Sequence, residues 1–240
     1  MNFETAIDIA NTELKKNKIK SSMLDCEILM SKVMNNSREF IILNSKKKIK
    51  KNNYNHFKKL VYERLKGKPI AYITGKKYFW KYEFEINEDV LIPRPDTEII
   101  IEQVLNIFKN KSRINFLDIG IGSGCILLSI LKEKKNYLGT GIDMSNECVK
   151  LSKINAIKLG VNNRVKIIKS NVDNFNFGKY DLIISNPPYI KKLDLKYLEK
   201  DVINFEPKIA LNGGLDGISE IRKVISRSSE LIKKNGKLIL

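Results

Sequence analysis

In "LDIGIGSGCILLSI" (117–130), an apolar run passes through a glycine-rich turn into a second apolar segment. Gly120, Gly122 and Gly124 allow the backbone to turn sharply and leave room for a ligand against main-chain amides. The pattern predicts a strand, a ligand-binding turn and a helix. Cys125 lies just inside that helix, where packing explains it better than reactivity.

Further strands are expected downstream of this stretch. Apolar runs separated mostly by helical stretches occur at 114–120, 137–143, 165–171, 180–186 and 236–240. Because the runs are continuous rather than alternating, each strand is expected to be covered on both faces of a parallel sheet. The pattern therefore predicts an α/β domain with a doubly wound, Rossmann-like sheet.

Two carboxylates accompany the glycine turn. Asp118 stands just before it, and Asp143 ends the next strand about twenty residues on, where a carboxylate can accept hydrogen bonds from ribose hydroxyls. A dinucleotide site is the competing interpretation. The turn has no glycine at the third position of the dinucleotide pattern, and together with the acidic residue this favours S-adenosylmethionine over a pyrophosphate.

The stretch "SNPPYI" (185–190) follows an apolar strand that its residues are unsuited to continue. Neither proline can donate to a sheet ladder, and Asn is a poor strand former. A bare turn would more often use Gly or Asp, and ligands bind at the carboxyl ends of strands in doubly wound folds. We therefore interpret Asn186, Pro187, Pro188 and Tyr189 as a binding motif rather than a turn.

The first third of the chain has a helical pattern. Apolar residues recur at helical spacing over about 3–14, 24–33 and 54–66, and Gly67 and Pro69 end the third segment. These segments predict a small helical bundle at the N-terminus.

A different pattern begins near residue 78. Alternation in "YEFEI" (82–86) and the turn residues 87–89 predict a β-hairpin, with Phe79 and Trp80 in its core. The stretch "PRPDTE" (93–98) then breaks the strand, and Asp96 or Thr97 is expected to cap the next helix. We therefore predict an N-terminal helical domain (1–74), a β-hairpin linker (75–97) and a cofactor-binding domain (98–240).

The composition and net charge of the chain restrict the classes of protein to which it can belong. The net charge of +17 favours acidic or RNA-associated partners, although Lys, Asn and Ile are abundant throughout and an A+T-rich coding bias explains the charge as well. The three cysteines are far apart and His56 is the only histidine, so we expect no disulfide framework, metal site or histidine triad. With no long apolar run and no signal-peptide core, we expect a cytoplasmic protein without a membrane partner.

The combination of motifs resembles a known family. "DIGIGSG" (118–124), Asp143 and "SNPPYI", downstream of "GKPIAYITG" (67–75) and "VLIPRPDTE" (90–98), closely resemble the HemK/PrmC-type protein-(glutamine-N5) methyltransferases, which modify peptide chain release factors. The resemblance continues to "FEPKIALNGGLDG" (205–217). "NPPY" alone also occurs in amino-methyltransferases of adenine and guanine, whereas "PRPDTE" together with "NPPY" is more specific.

The resemblance implies a class I methyltransferase sheet, S-adenosylmethionine as cofactor, class 1 release factors as substrates and an N-terminal domain that docks them. The Asn186 oxygen and the Pro187 carbonyl would accept the two N–H groups of the target glutamine, and Tyr189 would cover its amide. The cofactor would contact Asp118, Gly120, Ile121, Gly122, Ser123, Gly124, Asp143, Asn171, Val172 and Asn186. The family usually has Thr in place of Ile121, and Asp followed by an aromatic residue in place of Asn171-Val172. Asn171 can still accept a hydrogen bond from the adenine amino group, whereas Val172 cannot stack on the base.

Two alternatives stay open: a nucleic-acid amino-methyltransferase and a catalytically silent binding protein. The intact motifs oppose the second, and the absence of an RNA-binding module opposes the first, so we expect no direct nucleic-acid binding and a monomer. Sheets of this type usually have seven strands, and the sequence ends at "GKLIL" (236–240). We therefore expect the terminal strands to be missing and the fifth strand to form an exposed edge.

Overall fold

A computed structural model describes residues 1–240, which divide into two compact units, Met1–Gly75 and Lys76–Leu240. None of the helices is both long and apolar enough to cross a membrane.

The first unit is a bundle of five helices: α1 (Phe3–Lys16), α2 (Ser22–Met34), α3 (Arg38–Leu43), α4 (Lys51–Leu65) and α5 (Ile70–Thr74). The Asn2 side chain accepts a hydrogen bond from the Thr5 amide and so caps α1. The apolar residues of α1 that recur at helical spacing are buried, as the sequence predicts: Phe3, Ala6, Ile7, Ala10 and Leu14.

One ion pair lies inside this bundle. The Arg64 Nε donates to the Asp25 carboxylate at 2.7 Å, and Arg64 also donates to the Lys68 carbonyl. The side chain of Asp25 is only 3% exposed and that of Arg64 12%. The pair therefore ties α2 to the last turn of α4 inside the packed unit.

The second unit is an α/β domain preceded by a strand pair. Its strands are β1 (Lys76–Phe79), β2 (Tyr82–Glu85), β3 (Asn115–Ile119), β4 (Leu138–Asp143), β5 (Val165–Lys169), β6 (Tyr180–Ser185) and β7 (Ile232–Ile239). Its helices are α6 (Glu98–Ile107), α7 (Cys125–Glu133), α8 (Asn146–Lys158), α9 (Lys200–Phe205) and α10 (Ser219–Leu231).

The main sheet has five parallel strands in the order β5-β4-β3-β6-β7. The chain starts in the middle at β3, adds β4 and β5 on one side, then crosses back to add β6 and β7 on the other. This reversal covers both faces with helices and confirms the predicted doubly wound sheet. It also makes β3 and β6 neighbours at the point of reversal, and ligands bind at the carboxyl ends of such strands in doubly wound folds.

The predicted hairpin has its turn in a different place. β1 pairs with β2 through a two-residue turn at Trp80 and Lys81, whereas Asn87 turns the chain only after β2 has ended. Trp80 adopts a left-handed φ of +57°, which its type alone does not favour. Its backbone amide donates to Glu98 and its indole N–H to Glu133. These tertiary contacts explain why the turn falls on an aromatic residue.

The last strand is longer and less regular than predicted. β7 begins at Ile232 rather than at residue 236, and its pairing with β6 shifts register between Tyr180↔Ile232 and Leu182↔Lys237. Asn235 has a φ of +68° within the extra residues. The predicted strand (236–240) therefore contains only the residues that follow this irregularity.

The start of α6 also differs from the expectation. Pro95–Thr97 form a single 3₁₀ turn, and Thr97 occupies the N-cap position without making a side-chain capping bond. The predicted position of the cap is therefore confirmed at Thr97, but the side-chain capping bond that was expected there is not made. The Thr97 hydroxyl instead accepts a hydrogen bond from the Asn186 side chain.

Candidate functional site

The glycine turn (120–124) lies at the carboxyl end of β3. The amides of Gly120 and Ile121 both donate to the Ile142 carbonyl at 2.9 Å, which holds the turn against β4. Gly120 and Gly122 have φ of +77° and +54°, and a Cβ on either would meet no atom within 4 Å. Glycine is needed at these two positions for conformation, and the space above them is open to a ligand.

Asp143 is fixed beside this turn. Its Oδ2 accepts from the Gly122 amide at 3.0 Å, and its Oδ1 accepts from the Ser145 amide at 2.9 Å. Each carboxylate oxygen can accept more than one hydrogen bond, and Asp143 is only half-buried. The carboxylate is therefore oriented by the protein and retains capacity to accept hydroxyl groups from a ligand.

Asp118 is the penultimate residue of β3; it is 1% exposed, and neither of its carboxylate oxygens has a hydrogen-bond partner. Burial and, secondarily, the nearby Asp143 raise the pKa of Asp118 to about 7. Buried polar groups normally have partners, so an unpartnered carboxylate beside an open turn indicates that a bound group completes its environment. A positively charged ligand would fit this requirement.

Two further residues of the glycine turn, Ile121 and Ser123, have different roles in the candidate site. The Ile121 side chain is buried against Gly141, its amide donates to the Ile142 carbonyl of β4, and its carbonyl accepts from the Gly124 amide within the turn. The Ser123 hydroxyl is buried without a partner, and its carbonyl accepts from Asn155. The structure thus leaves the Ser123 hydroxyl free, whereas Ile121 shapes the turn.

Asn155 is a site-supporting residue that the sequence analysis missed. Its Oδ1 accepts from the Glu85 amide at 2.8 Å, and its Nδ2 donates to the carbonyls of Glu85 and Ser123 at 3.1 and 2.9 Å. It is completely buried and links β2 to the glycine turn. The signal in the sequence is an Asn on the same helical face as Cys148, Leu151 and Ser152.

The NPPY motif (186–189) follows β6, the strand beside β3. The Ser185 hydroxyl donates to the Ile119 carbonyl at 2.7 Å and joins the carboxyl ends of β6 and β3. The Asn186 Nδ2 donates to the Thr97 hydroxyl at 3.4 Å, and no group of the chain donates to the Asn186 Oδ1 or to the Pro187 carbonyl. Tyr189 is 67% exposed. Two acceptors and an aromatic ring are therefore free at this edge.

A glycine-containing loop (211–217) packs against the motif from the other side. The Gly213 amide donates to the Ile190 carbonyl at 2.8 Å, and the Lys192 amide donates to the Gly214 carbonyl at 2.8 Å. A Cβ on Gly213 would lie 2.8 Å from the Tyr189 Cα and 2.9 Å from the Pro188 carbonyl oxygen. Only glycine permits this approach, so the loop sets the position of the motif's backbone.

Asn171 and Val172 follow β5 at the same edge of the sheet. The Asn171 Oδ1 accepts from the Asp173 amide at 3.2 Å and starts the 3₁₀ turn Val172–Asn174. Val172 packs partly buried against the core that contains Phe175. Asn171 is exposed, and the inward packing of Val172 leaves no aromatic platform at this position.

Topology brings the predicted site residues together. Parallel strands end at one edge, so the residues that follow or end β5, β4, β3 and β6 share it. In strand order these are Asn171 and Val172, then Asp143, then Asp118 with the glycine turn, then the NPPY motif. The edge combines an open glycine turn, two carboxylates and free carbonyl-type acceptors.

Comparison with known proteins agrees with this arrangement. Residues 5–75 match the PrmC N-terminal domain family, and residues 97–214 match the methyltransferase small domain family. A protein named release factor glutamine methyltransferase from Clostridium acetobutylicum is 36% identical over 241 residues, an alignment that covers 98% of this chain and 84% of that one. The chain belongs to the release factor glutamine methyltransferase family. The family predicted from the motifs is thus confirmed.

Other relatives in the comparison are longer. A protein named bifunctional methyltransferase from Rickettsia typhi is 36% identical over 250 residues, covering 96% of this chain and 48% of that protein. The chain spans about half the length of the Rickettsia relatives that it matches. A solved structure of a SAM-dependent methyltransferase from Geobacter sulfurreducens with S-adenosyl-L-homocysteine has a TM-score of 0.40 at 19% identity, covering 61% of this chain and 47% of that one. That likeness is too weak to inform the site.

Proposed function

We propose that this chain transfers a methyl group from S-adenosylmethionine to the side-chain amide nitrogen (N5) of the glutamine in the Gly-Gly-Gln motif of class 1 peptide chain release factors. The observation that carries the proposal is the free Asn186 Oδ1 beside the open glycine turn, in a chain of this family. The proposal also includes a cytoplasmic location and a monomer that does not bind nucleic acid directly.

The residues at the sheet edge fit the proposed cofactor. The unpartnered Asp118 carboxylate suits a ligand that carries a positive sulfonium, and the space above Gly120 and Gly122 admits its extended chain. Asp143 would accept the ribose hydroxyls, and Asn171 and Val172 would border the base. When bound, S-adenosylmethionine supplies an electrophilic methyl group.

Glutamine is a weak nucleophile because its nitrogen lone pair is delocalised into the carbonyl. Its two N–H groups are the means by which a protein can hold it. Asn186 Oδ1 and the Pro187 carbonyl would accept one N–H each, which fixes the nitrogen and draws electron density toward it. Because the prolines have no N–H, no backbone donor of theirs competes for the site. The exposed Tyr189 ring would cover the planar amide and exclude water from it.

The parts of the chain receive separate roles in this proposal. We assign residues 1–74 to docking of the release factor, 75–97 to a β-hairpin linker and 98–240 to methyl transfer. The match of residues 5–75 to the PrmC N-terminal domain family supports the first assignment. The second candidate, methylation of an adenine or guanine amino group, shares the NPPY motif but has no further observation in its favour.

A transfer assay tests the proposal. Purified chain is incubated with methyl-labelled S-adenosylmethionine and either a class 1 release factor or bulk RNA. We expect label in the release factor, no label in RNA and loss of labelling in Asn186→Ala. Label found only in RNA would establish the second candidate instead. Absence of label from both, with cofactor binding intact in calorimetry, would favour a silent binding protein.

A further inference from the structure

We propose that Thr97 is a positioning residue that restrains the Asn186 side-chain amide, and that the buried Glu206 holds the segment that carries Thr97. The inference rests on the proposed function in assigning Asn186 to the target glutamine. The contacts themselves lie within the second unit and stand independently of the substrate.

The two ends of an asparagine amide are nearly equal in size but opposite in hydrogen bonding. Oδ1 accepts, whereas Nδ2 donates, so only one orientation of Asn186 can hold an N–H group of a glutamine. In the structure Nδ2 donates to the Thr97 hydroxyl at 3.4 Å, and Oδ1 is left without a donor. A hydroxyl can donate as well as accept, so the role of Thr97 is to restrain the Asn186 amide, with Oδ1 left available to the substrate in this geometry.

The Thr97 hydroxyl is available to Asn186 because it makes no capping hydrogen bond to the amides of α6. It stands at the N-cap position of that helix with φ −70° and ψ −16°, and it makes no capping bond. Its amide donates to the Arg94 carbonyl at 3.1 Å and closes the 3₁₀ turn. The 3₁₀ turn thus fixes the backbone of Thr97, and the Thr97 hydroxyl contacts Asn186, the residue that follows β6.

Glu206 explains how the segment 92–97 is held in place. This carboxylate has a side-chain exposure of 1%, forms an ion pair with Arg94 and accepts from the Ile92 amide at 3.3 Å. A buried carboxylate without its partners would be strongly unfavourable. Glu206 therefore anchors the segment at two residues shortly before Thr97, from a position more than a hundred residues further along the chain.

The connected contacts run from Glu206 through Arg94 and the 3₁₀ turn to Thr97, and from Thr97 to Asn186. The backbone of the NPPY motif is supported separately by the loop 211–217, through Gly213. Thr97 thus contacts the Asn186 side chain, whereas the loop contacts the motif's backbone. A change at Thr97 should affect the Asn186 amide without moving the Pro187 carbonyl.

Kinetics of Thr97→Val and Thr97→Ser test the role of the hydroxyl. Valine keeps the shape and removes the acceptor, so we expect kcat to fall about tenfold or more, the effect of one hydrogen bond in the transition state. The KM for S-adenosylmethionine should not change. Serine restores the acceptor and should recover most of the wild-type kcat. Ser229→Ala on α10 removes an exposed hydroxyl that donates to the Ser226 carbonyl of the same helix; it is the control and should leave kcat unchanged.

A second measurement does not depend on activity. In a ¹⁵N spectrum of the full chain, the Asn186 side-chain NH₂ pair is assigned by its loss in Asn186→Ala. We expect this pair to shift in Thr97→Val, to return toward its wild-type position in Thr97→Ser and to shift partly in Glu206→Gln. An unmoved resonance in Thr97→Val would overturn the inference, as would a Thr97→Ser variant as slow as Thr97→Val. A wild-type chain that transfers no methyl group would refute the proposed function alone, because the resonance still reports the contact.

Discussion

The carboxyl group of Asp118 is buried without a hydrogen-bond partner, and burial together with Asp143 raises its pKa to about 7 from an ordinary value of 3.8. The folded chain therefore binds this proton more tightly than the unfolded chain does. Below about pH 4 both states are protonated, and above about pH 7 neither is. The contribution of Asp118 to the free energy of unfolding thus falls as the pH rises through this window, by at most about 4 kcal/mol.

Asp118→Asn should remove this pH dependence. In the absence of cofactor, we expect the variant to unfold at higher denaturant concentration than wild type at about pH 8, with the difference shrinking toward about pH 4. Its affinity for S-adenosylmethionine should fall, because the neutral amide no longer complements a positive charge. Denaturant titrations across the range, with calorimetry of cofactor binding, measure both effects. Parallel curves for the two proteins would show that Asp118 does not carry the raised pKa.

At the scale of elements, the loop 211–217 meets the NPPY motif through Gly213. A Cβ there would lie 2.7 to 2.9 Å from three backbone atoms, so Gly213→Ala must displace the motif. We expect kcat to fall about 100-fold, the effect of a misplacement of about 1 Å at reacting groups. Cofactor affinity should stay unchanged, since the glycine turn is on another strand.

Gly160→Ala is the control for this variant. Gly160 follows α8 with φ +67°, and a Cβ there would meet no atom within 4 Å. The substitution should lower stability by roughly 1–2 kcal/mol through backbone strain and leave kcat unchanged. If Gly213→Ala behaves like Gly160→Ala in steady-state kinetics, the loop does not position the motif.

The ion pair between α2 and α4 gives a prediction for the first unit. Arg64→Met leaves the Asp25 carboxylate buried and unpaired, which should destabilise the unit by about 3–5 kcal/mol. Lys66→Met, two residues away, breaks an exposed pair with Glu63 and should change stability by less than about 1 kcal/mol. Hydrogen exchange of the α2 and α4 amides in the full chain measures the two effects. Equal protection in both variants would contradict the assigned role of the buried pair.

The sequence predicts the elements of this fold better than their connections. Strands buried on both faces read as continuous apolar runs, so the parallel sheet and the edge that carries Asp143 and the NPPY motif were predictable. The turn at Trp80 was not, because tertiary contacts to Glu98 and Glu133 decide it. Thr97 has a plausible local role as a helix cap, and only the folded chain shows its hydroxyl against Asn186.

Long-range polar contacts were the least predictable feature. Asn155 joins β2 to the glycine turn, and Glu206 reaches back to Ile92 and Arg94. Each of these residues lies far in sequence from its partner, and no local spacing encodes such a pairing. The residues of the site could therefore be predicted from the sequence, whereas the residues that hold them in place could be identified only from the structure.

At the scale of the whole molecule, a helical unit that matches the PrmC N-terminal domain family precedes an α/β unit with acceptors at the carboxyl ends of β3 and β6. We propose that these acceptors hold the amide of one glutamine for methyl transfer. Mass spectrometry of a release factor after incubation with the chain and S-adenosylmethionine is the direct test. We predict one added methyl group on the side-chain nitrogen of the Gly-Gly-Gln glutamine, absent when Asn186→Ala replaces the wild type. A methyl group on any other residue, or the same product from Asn186→Ala, would contradict it.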